Sequence, residues 1–156
     1  MAYVLKIIEW IRAMPRKYEL PVFLADVTSR SAYIDWLSKK AATHVKRDKE
    51  RGNTTATTQK YKVAIHNAVI SSNGSDAYTG EDLDWSLLGK YNNEESKKGG
   101  RTYKARFNML PSVDHVSDGI GDPDFKICAW QTNDAKNDKS LVEFLEICQK
   151  VIAHNS

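Results

Sequence analysis

A chain of 156 residues is most simply one domain, able to bury about two thirds of its unfolded surface without covalent staples. Its only two cysteines, Cys128 and Cys148, lie in apolar periodic segments with no Cys-x-x-Cys or compact Cys/His spacing, which reads as free thiols in a reducing compartment and excludes a structural zinc site. The net charge of +3 is mild, but residues 39–51 and 90–106 each hold six basic and two acidic side chains, the local basic surface expected of a polyanion-binding protein.

The N-terminal stretch repeats Val4, Ile7, Ile8 and Ile11 at helical spacing and stops at Pro15, predicting a first helix over residues 3–14. It carries an acid and lysine, too polar for a spanning helix, and no cleavage site for a signal peptide. The expected setting is therefore cytoplasmic, without a membrane partner. Thr28 or Ser29 caps a second helix reaching about Arg51, with Tyr33, Trp36, Leu37, Ala41, His44 and Val45 on one face and lysines on the other. Tyr61, Ala64, Ile65, Ala68 and Val69 mark a third, closed by Asn73-Gly74. His44 and His66 lack acidic or histidine neighbours at metal-binding spacing and read as structural or surface residues.

From residue 78 the chain turns, passes through a short amphipathic helix and reaches an exposed Gly-Gly loop flanked by Lys97, Lys98 and Arg101, with Lys104 and Arg106 just beyond. These five cations are candidate phosphate contacts. FNMLPSVDHVS and DFKICAW then read as two strands joined by the turn SDGIGDP. A short helix begins at Thr132 or Asn133, and a capping box of Ser140 and Glu143 opens a terminal helix whose Leu141, Phe144, Leu145, Ile147, Cys148 and Ile152 form a stripe expected to be buried. The fold class is α+β: a mainly helical subregion, residues 1–75, followed by a strand-strand-helix module with a terminal helix, residues 76–156, in a single domain.

That order brings the end of the first strand opposite the start of the short helix, so Asp114, His115 and Asn133 are expected to converge. Neighbours on a strand point to opposite faces, and a bulge or turn is needed to aim both Asp114 and His115 into one pocket. Carboxylate and carboxamide oxygens are hard ligands suited to Mg²⁺ or Mn²⁺ completed by water and phosphate. A neutral His115 then accepts the proton of a water attacking phosphorus. Lys136, one turn after Asn133, holds a phosphate or positions the helix start. The chemistry so described is metal-assisted phosphodiester hydrolysis.

Carried by Asp114-His115 in VDHV and Asn133-x-x-Lys136 in TNDAKND, residues 78–138 resemble the HNH endonucleases, the ββα-metal or His-Me finger class. The resemblance implies a general base at His115, metal ligands at Asp114 and Asn133, and DNA as substrate, with the helical half adding binding surface or a homodimer contact. Two departures stand out. The asparagine that orients the histidine in that family has no counterpart near Asp124 or Phe125, and the turn at Tyr78 to Gly80 stands where many members carry a zinc-binding cysteine pair, so Trp85, Trp130 and the terminal helix are expected to replace that zinc by packing. A silent nucleic-acid-binding module and an RNA-cleaving toxin-type nuclease are the competing readings.

Overall fold

Ser29, extended and accepting a hydrogen bond from Ala32 N, starts the longest helix, α1 (Arg30–Glu50). Thr57 caps α2 (Thr58–Ser72) in the same way, and Asn73 ends it in the left-handed region at φ 46°. These are elements of a computed structural model that describes residues 17–156; the helix expected over residues 3–14 lies outside them. A 3₁₀ turn (Trp85–Leu87) precedes the amphipathic helix expected in this stretch. It is followed by α3 (Asn93–Ala105), capped by Asn92, then β1 (Pro111–His115), β2 (Phe125–Ala129), α4 (Trp130–Lys136) and α5 (Leu141–Asn155). The architecture of the described residues is α+β, five α-helices around one antiparallel ribbon of two strands.

Three local expectations are corrected. The Gly-Gly loop is not a loop: α3 runs through it and breaks its geometry only at Gly100 (φ 52°, ψ −135°), a conformation that glycine alone adopts without strain. Gly99 leaves room for Tyr103, which packs so closely that a Cβ at 99 would sit 2.7 Å from Tyr103 Cβ. The short helix α4 starts at Trp130 directly from β2, earlier than Thr132 or Asn133, with Ala129 at its cap and no side-chain cap bond. Most consequential, α5 has its capping box in full but buries none of its residues, so the stripe of Leu141, Leu145 and Ile152 is exposed. Only Phe144 and Cys148 of the expected stripe are half-buried, so the terminal helix adds little to holding the ribbon.

The core is common to both subregions. Tyr33, Trp36, Leu37 and Ala41 of α1 and Tyr61, Ile65 and Val69 of α2 pack with Val113, Phe125, Ile127 and Ala129 of the ribbon. The Val, Leu, Ile and Phe side chains among them each contribute about 1.5–3 kcal/mol when fully buried. Trp85 is buried edge-on against Phe23 and Trp36, while Trp130 is half-buried against Tyr91. The turn after Asp76 is tied by that one carboxylate, which accepts from Tyr78 N (2.7 Å), Thr79 N (3.2 Å) and, across the molecule, Ala129 N (2.8 Å). A buried acid thus joins the turn to the β2–α4 junction, in the place where packing by the terminal helix was expected.

β1 pairs with β2 one residue to one, from Pro111 with Ala129 to His115 with Phe125. No bulge interrupts it, so the distortion needed to aim Asp114 and His115 together is absent. The pleat sends Ser112 and Asp114 towards α4 and Val113 and His115 towards α1 and the core.

Candidate functional site

A cleft of about 900 Å³ runs past β1 between α1 and the α4–α5 junction. Among the described residues β1 pairs with β2 alone, and its residues from Ser112 to His115 line the cleft. That geometry lets Asp114 and His115 leave opposite faces of the strand and still both border the same space, together with Asn133 and Lys136. The convergence expected in one pocket is replaced by two polar clusters on either side of the strand.

On the α4 side the helix lies along β1 in two rungs. Asn133 Nδ2 donates to Ser112 Oγ (2.8 Å), and Lys136 Nζ donates to Asp114 Oδ2 (2.9 Å). Tyr78 Oη also donates to Asp114 Oδ2, at 2.5 Å, and the Lys136 ammonium lies 5.8 Å from the Tyr78 ring centre. Burial, reinforced by the Asp114 bond, raises the Tyr78 pKa above its ordinary value. Asp114 and Lys136 are both buried, and a pair so enclosed is strongly destabilised by loss of either partner.

On the α1 side His115 Nε2 faces Asp48 Oδ2 at 2.9 Å, in a pair whose side chains are 6% and 1% exposed. Asp48 also accepts from Tyr61 Oη (2.5 Å) and lies 3.5 Å from Arg47 Nε. Burial pushes its carboxyl up, but the Tyr61 and His115 hydrogen bonds outweigh that and hold it below the usual carboxylate range. For His115, burial lowers the pKa and the Asp48 bond opposes it, with a net downward shift. The imidazole is therefore neutral at pH 7, and its Nδ1 is buried with no hydrogen-bond partner. His44, read from sequence as a structural or surface residue, is a cleft residue: its ring centre is 4.6 Å from that of His115, and its own Nδ1 is likewise unpartnered. His66 is a structural residue, hydrogen-bonded to the Tyr33 hydroxyl at 2.7 Å.

Asp48 is the site residue that the motif could not supply, since it stands 67 positions from His115. Its signal was faint but present. The face of α1 that runs through Leu37, Ala41, His44 and Val45 continues at 48, and there it meets an aspartate. The position near Asp124 and Phe125 does not orient the imidazole by hydrogen bonding; Phe125 packs edge-on against it at 4.7 Å.

The cations fall into two groups. Lys40 and Arg47 of α1 and Arg51 at its C-terminal cap line the cleft, as do Lys126, Lys136 and Lys139. Lys97, Lys98, Arg101, Lys104 and Arg106 do not: they are exposed on and just after α3, with Lys97 paired to Glu94 at 2.7 Å. A second hollow of about 930 Å³ lies between α2 and β2 and has no imidazole or thiol in its lining. The polar cleft, though marginally smaller, is the one lined by imidazoles.

Whether the residues suit a divalent cation follows from their donors. Asp114 uses Oδ2 for both of its side-chain bonds and Asn133 uses Nδ2, which leaves a hard oxygen on each. Mg²⁺ asks for one or two such protein oxygens and takes the rest from water and phosphate. Among the described residues no three His, Cys, Asp or Glu side chains cluster as a closed metal cage, and a cation on Asp114 would share that carboxylate with Lys136. The donor type thus fits a cation that arrives with its phosphate better than one permanently caged. No helix of the described residues is long and apolar enough to cross a membrane. Searches against protein-family models, curated proteins and solved structures each find no match.

Proposed function

We propose that the protein is an endonuclease that hydrolyses DNA phosphodiester bonds in the cleft along β1, with His115 as general base. The observation that carries this reading is the placing of His115: an imidazole that borders the cleft, its pKa lowered by burial, whose Nε2 is engaged by a carboxylate and whose Nδ1 is buried without a hydrogen-bond partner. An unsatisfied buried acceptor costs about 1–3 kcal/mol, and a catalytic base is a reason to keep one; because Nδ1 is buried, the ring or its cover must shift before water reaches it. Lys40, Arg47 and Arg51 on the facing helix and its C-terminal cap supply positive charge for the phosphates either side of the scissile bond. The water's proton passes to His115 Nδ1 as its oxygen forms the new bond to phosphorus, and the leaving alkoxide takes a proton from solvent. Asp114 and Asn133 would hold a magnesium or manganese ion, which when bound stabilises the charge on the phosphoryl oxygens.

A second reading, a nucleic-acid-binding module without turnover, is favoured by one feature: Asp114 is already engaged by Lys136 and Tyr78. A plasmid nicking assay of the wild-type protein and His115→Ala, run with Mg²⁺, with Mn²⁺ and with chelator, separates the two. Metal-dependent cutting abolished in the variant is the expected result, with DNA affinity nearly unchanged and a lower melting temperature, because Asp48 loses a buried partner. Full activity in His115→Ala would remove the base from the mechanism, and salt-sensitive binding with no cutting under either metal would leave the binding module.

A further inference from the structure

We propose that Asp48, from the helical subregion, is the positioning residue of His115: it fixes the ring and holds the imidazole proton on Nε2, so that Nδ1 is the basic atom. The proposal rests on the reading of His115 as a base, and it assigns an orienting role that the strand-strand-helix segment itself leaves without a side chain.

The argument starts from electrostatics. Asp48 is fully buried on the apolar face of α1, where a carboxylate is costly unless donors surround it. It has them in Tyr61 Oη, His115 Nε2 and the flanking Arg47, and these keep it ionised. An ionised carboxylate only accepts hydrogen bonds, so the imidazole nitrogen facing it must carry the ring's proton. In a neutral imidazole the other nitrogen then holds the lone pair. That nitrogen, Nδ1, is the one with no partner.

The surroundings keep Asp48 from turning away. Gly119, in the β1–β2 loop at φ +82°, passes so close that a Cβ there would sit 2.6 Å from Asp48 Oδ1. The loop is itself fastened: Asn53 Nδ2 donates to Gly119 O (2.8 Å) and Gly121 O (3.1 Å). Its own Oδ1 accepts from Thr55 N (2.9 Å). The α1–α2 connection, the loop and Tyr61 of α2 thus enclose the carboxylate on three sides, while Phe125 supports the ring it holds.

The tautomer is therefore the readout. Long-range ¹H–¹⁵N correlation on ring-labelled protein at pH 7.5 is expected to show His115 protonated at Nε2 and bare at Nδ1. In Asp48→Asn, whose amide can donate to Nε2, the proton is expected to move to Nδ1. Nicking should fall on the order of 10⁴-fold, as when the carboxylate behind a catalytic histidine becomes an amide, with melting temperature and DNA affinity held. A wild-type ring protonated at Nδ1, or an Asp48→Asn protein that keeps both the Nε2 proton and its rate, would overturn the proposal. If Asp48→Asn does not fold, the wild-type spectrum decides by itself, with an Nε2 proton sustaining the assignment. The spectrum is independent of turnover, so a protein that never cuts DNA yet shows the Nε2 proton would refute the nuclease and not the positioning contact.

Discussion

At the scale of single residues the cleft is built from side chains that are comfortable only in one protonation state. His44 is the extreme case: burial, with the nearby His115, Arg47 and Lys40, pushes its pKa down to about 3 despite Asp48. His115 and His66 are also shifted down, each first of all by burial. A histidine with a lowered folded-state pKa binds its proton more weakly folded than unfolded. Between the two values the unfolded chain holds more protons, so stability rises with pH across that window and is lost as pH falls below about 6.5. His44 alone is expected to cost about 2–3 kcal/mol between pH 6.5 and 4.5. Thermal melts at those two pH values should then differ by about 5–10 °C. A melting temperature flat across that range would mean that these imidazoles are solvated. The acidic side chains add to the same slope only at lower pH, because Asp48 with its lowered pKa gives up its contribution below the usual carboxylate range.

The elements differ in how much of them the amino-acid pattern could disclose. Caps are local chemistry, so Ser29, Asn73 and the Ser140–Glu143 box were legible and stand as expected. Periodicity reports an apolar stripe but not what covers it, and in α5 the stripe faces no described neighbour that buries it. The same limit explains α3, where Gly99-Gly100 reads as a loop until Tyr103, four residues on, is seen packed over it. Held by its own caps and little else, α5 should unfold independently of the core. Ser140→Ala removes the hydroxyl that accepts from Glu143 N and donates to its carboxylate, at about 1 kcal/mol of helix stability. Hydrogen exchange over residues 141–155 is expected to quicken several-fold while the global melting temperature stays put. A matching fall in melting temperature would show that α5 is part of the cooperative unit.

Across the whole molecule, the segment with the nuclease-like motif has no core of its own. Val113, Phe125, Ile127 and Ala129 are buried against α1 and α2, and Asp76 spans from the start of that segment to Ala129 without supplying any apolar surface. The pattern Asp-His and Asn-x-x-Lys disclosed four residues of the cleft because they lie within one short stretch. It could not disclose Asp48, Tyr61 or Asn53, which reach the site only because the helical subregion folds over it. Cutting the chain at residue 76 therefore removes the wall of the core and the partner of His115 together. Residues 76–156 expressed alone bury too little apolar area to offset the entropy of ordering the ribbon, and α5 adds little to that sum. The fragment is expected to give a collapsed amide spectrum and no cooperative melt, with nicking lost. A dispersed spectrum with a sharp transition would mean that the module folds by itself, and the composite site would then be a contact between two independent units instead of one interior.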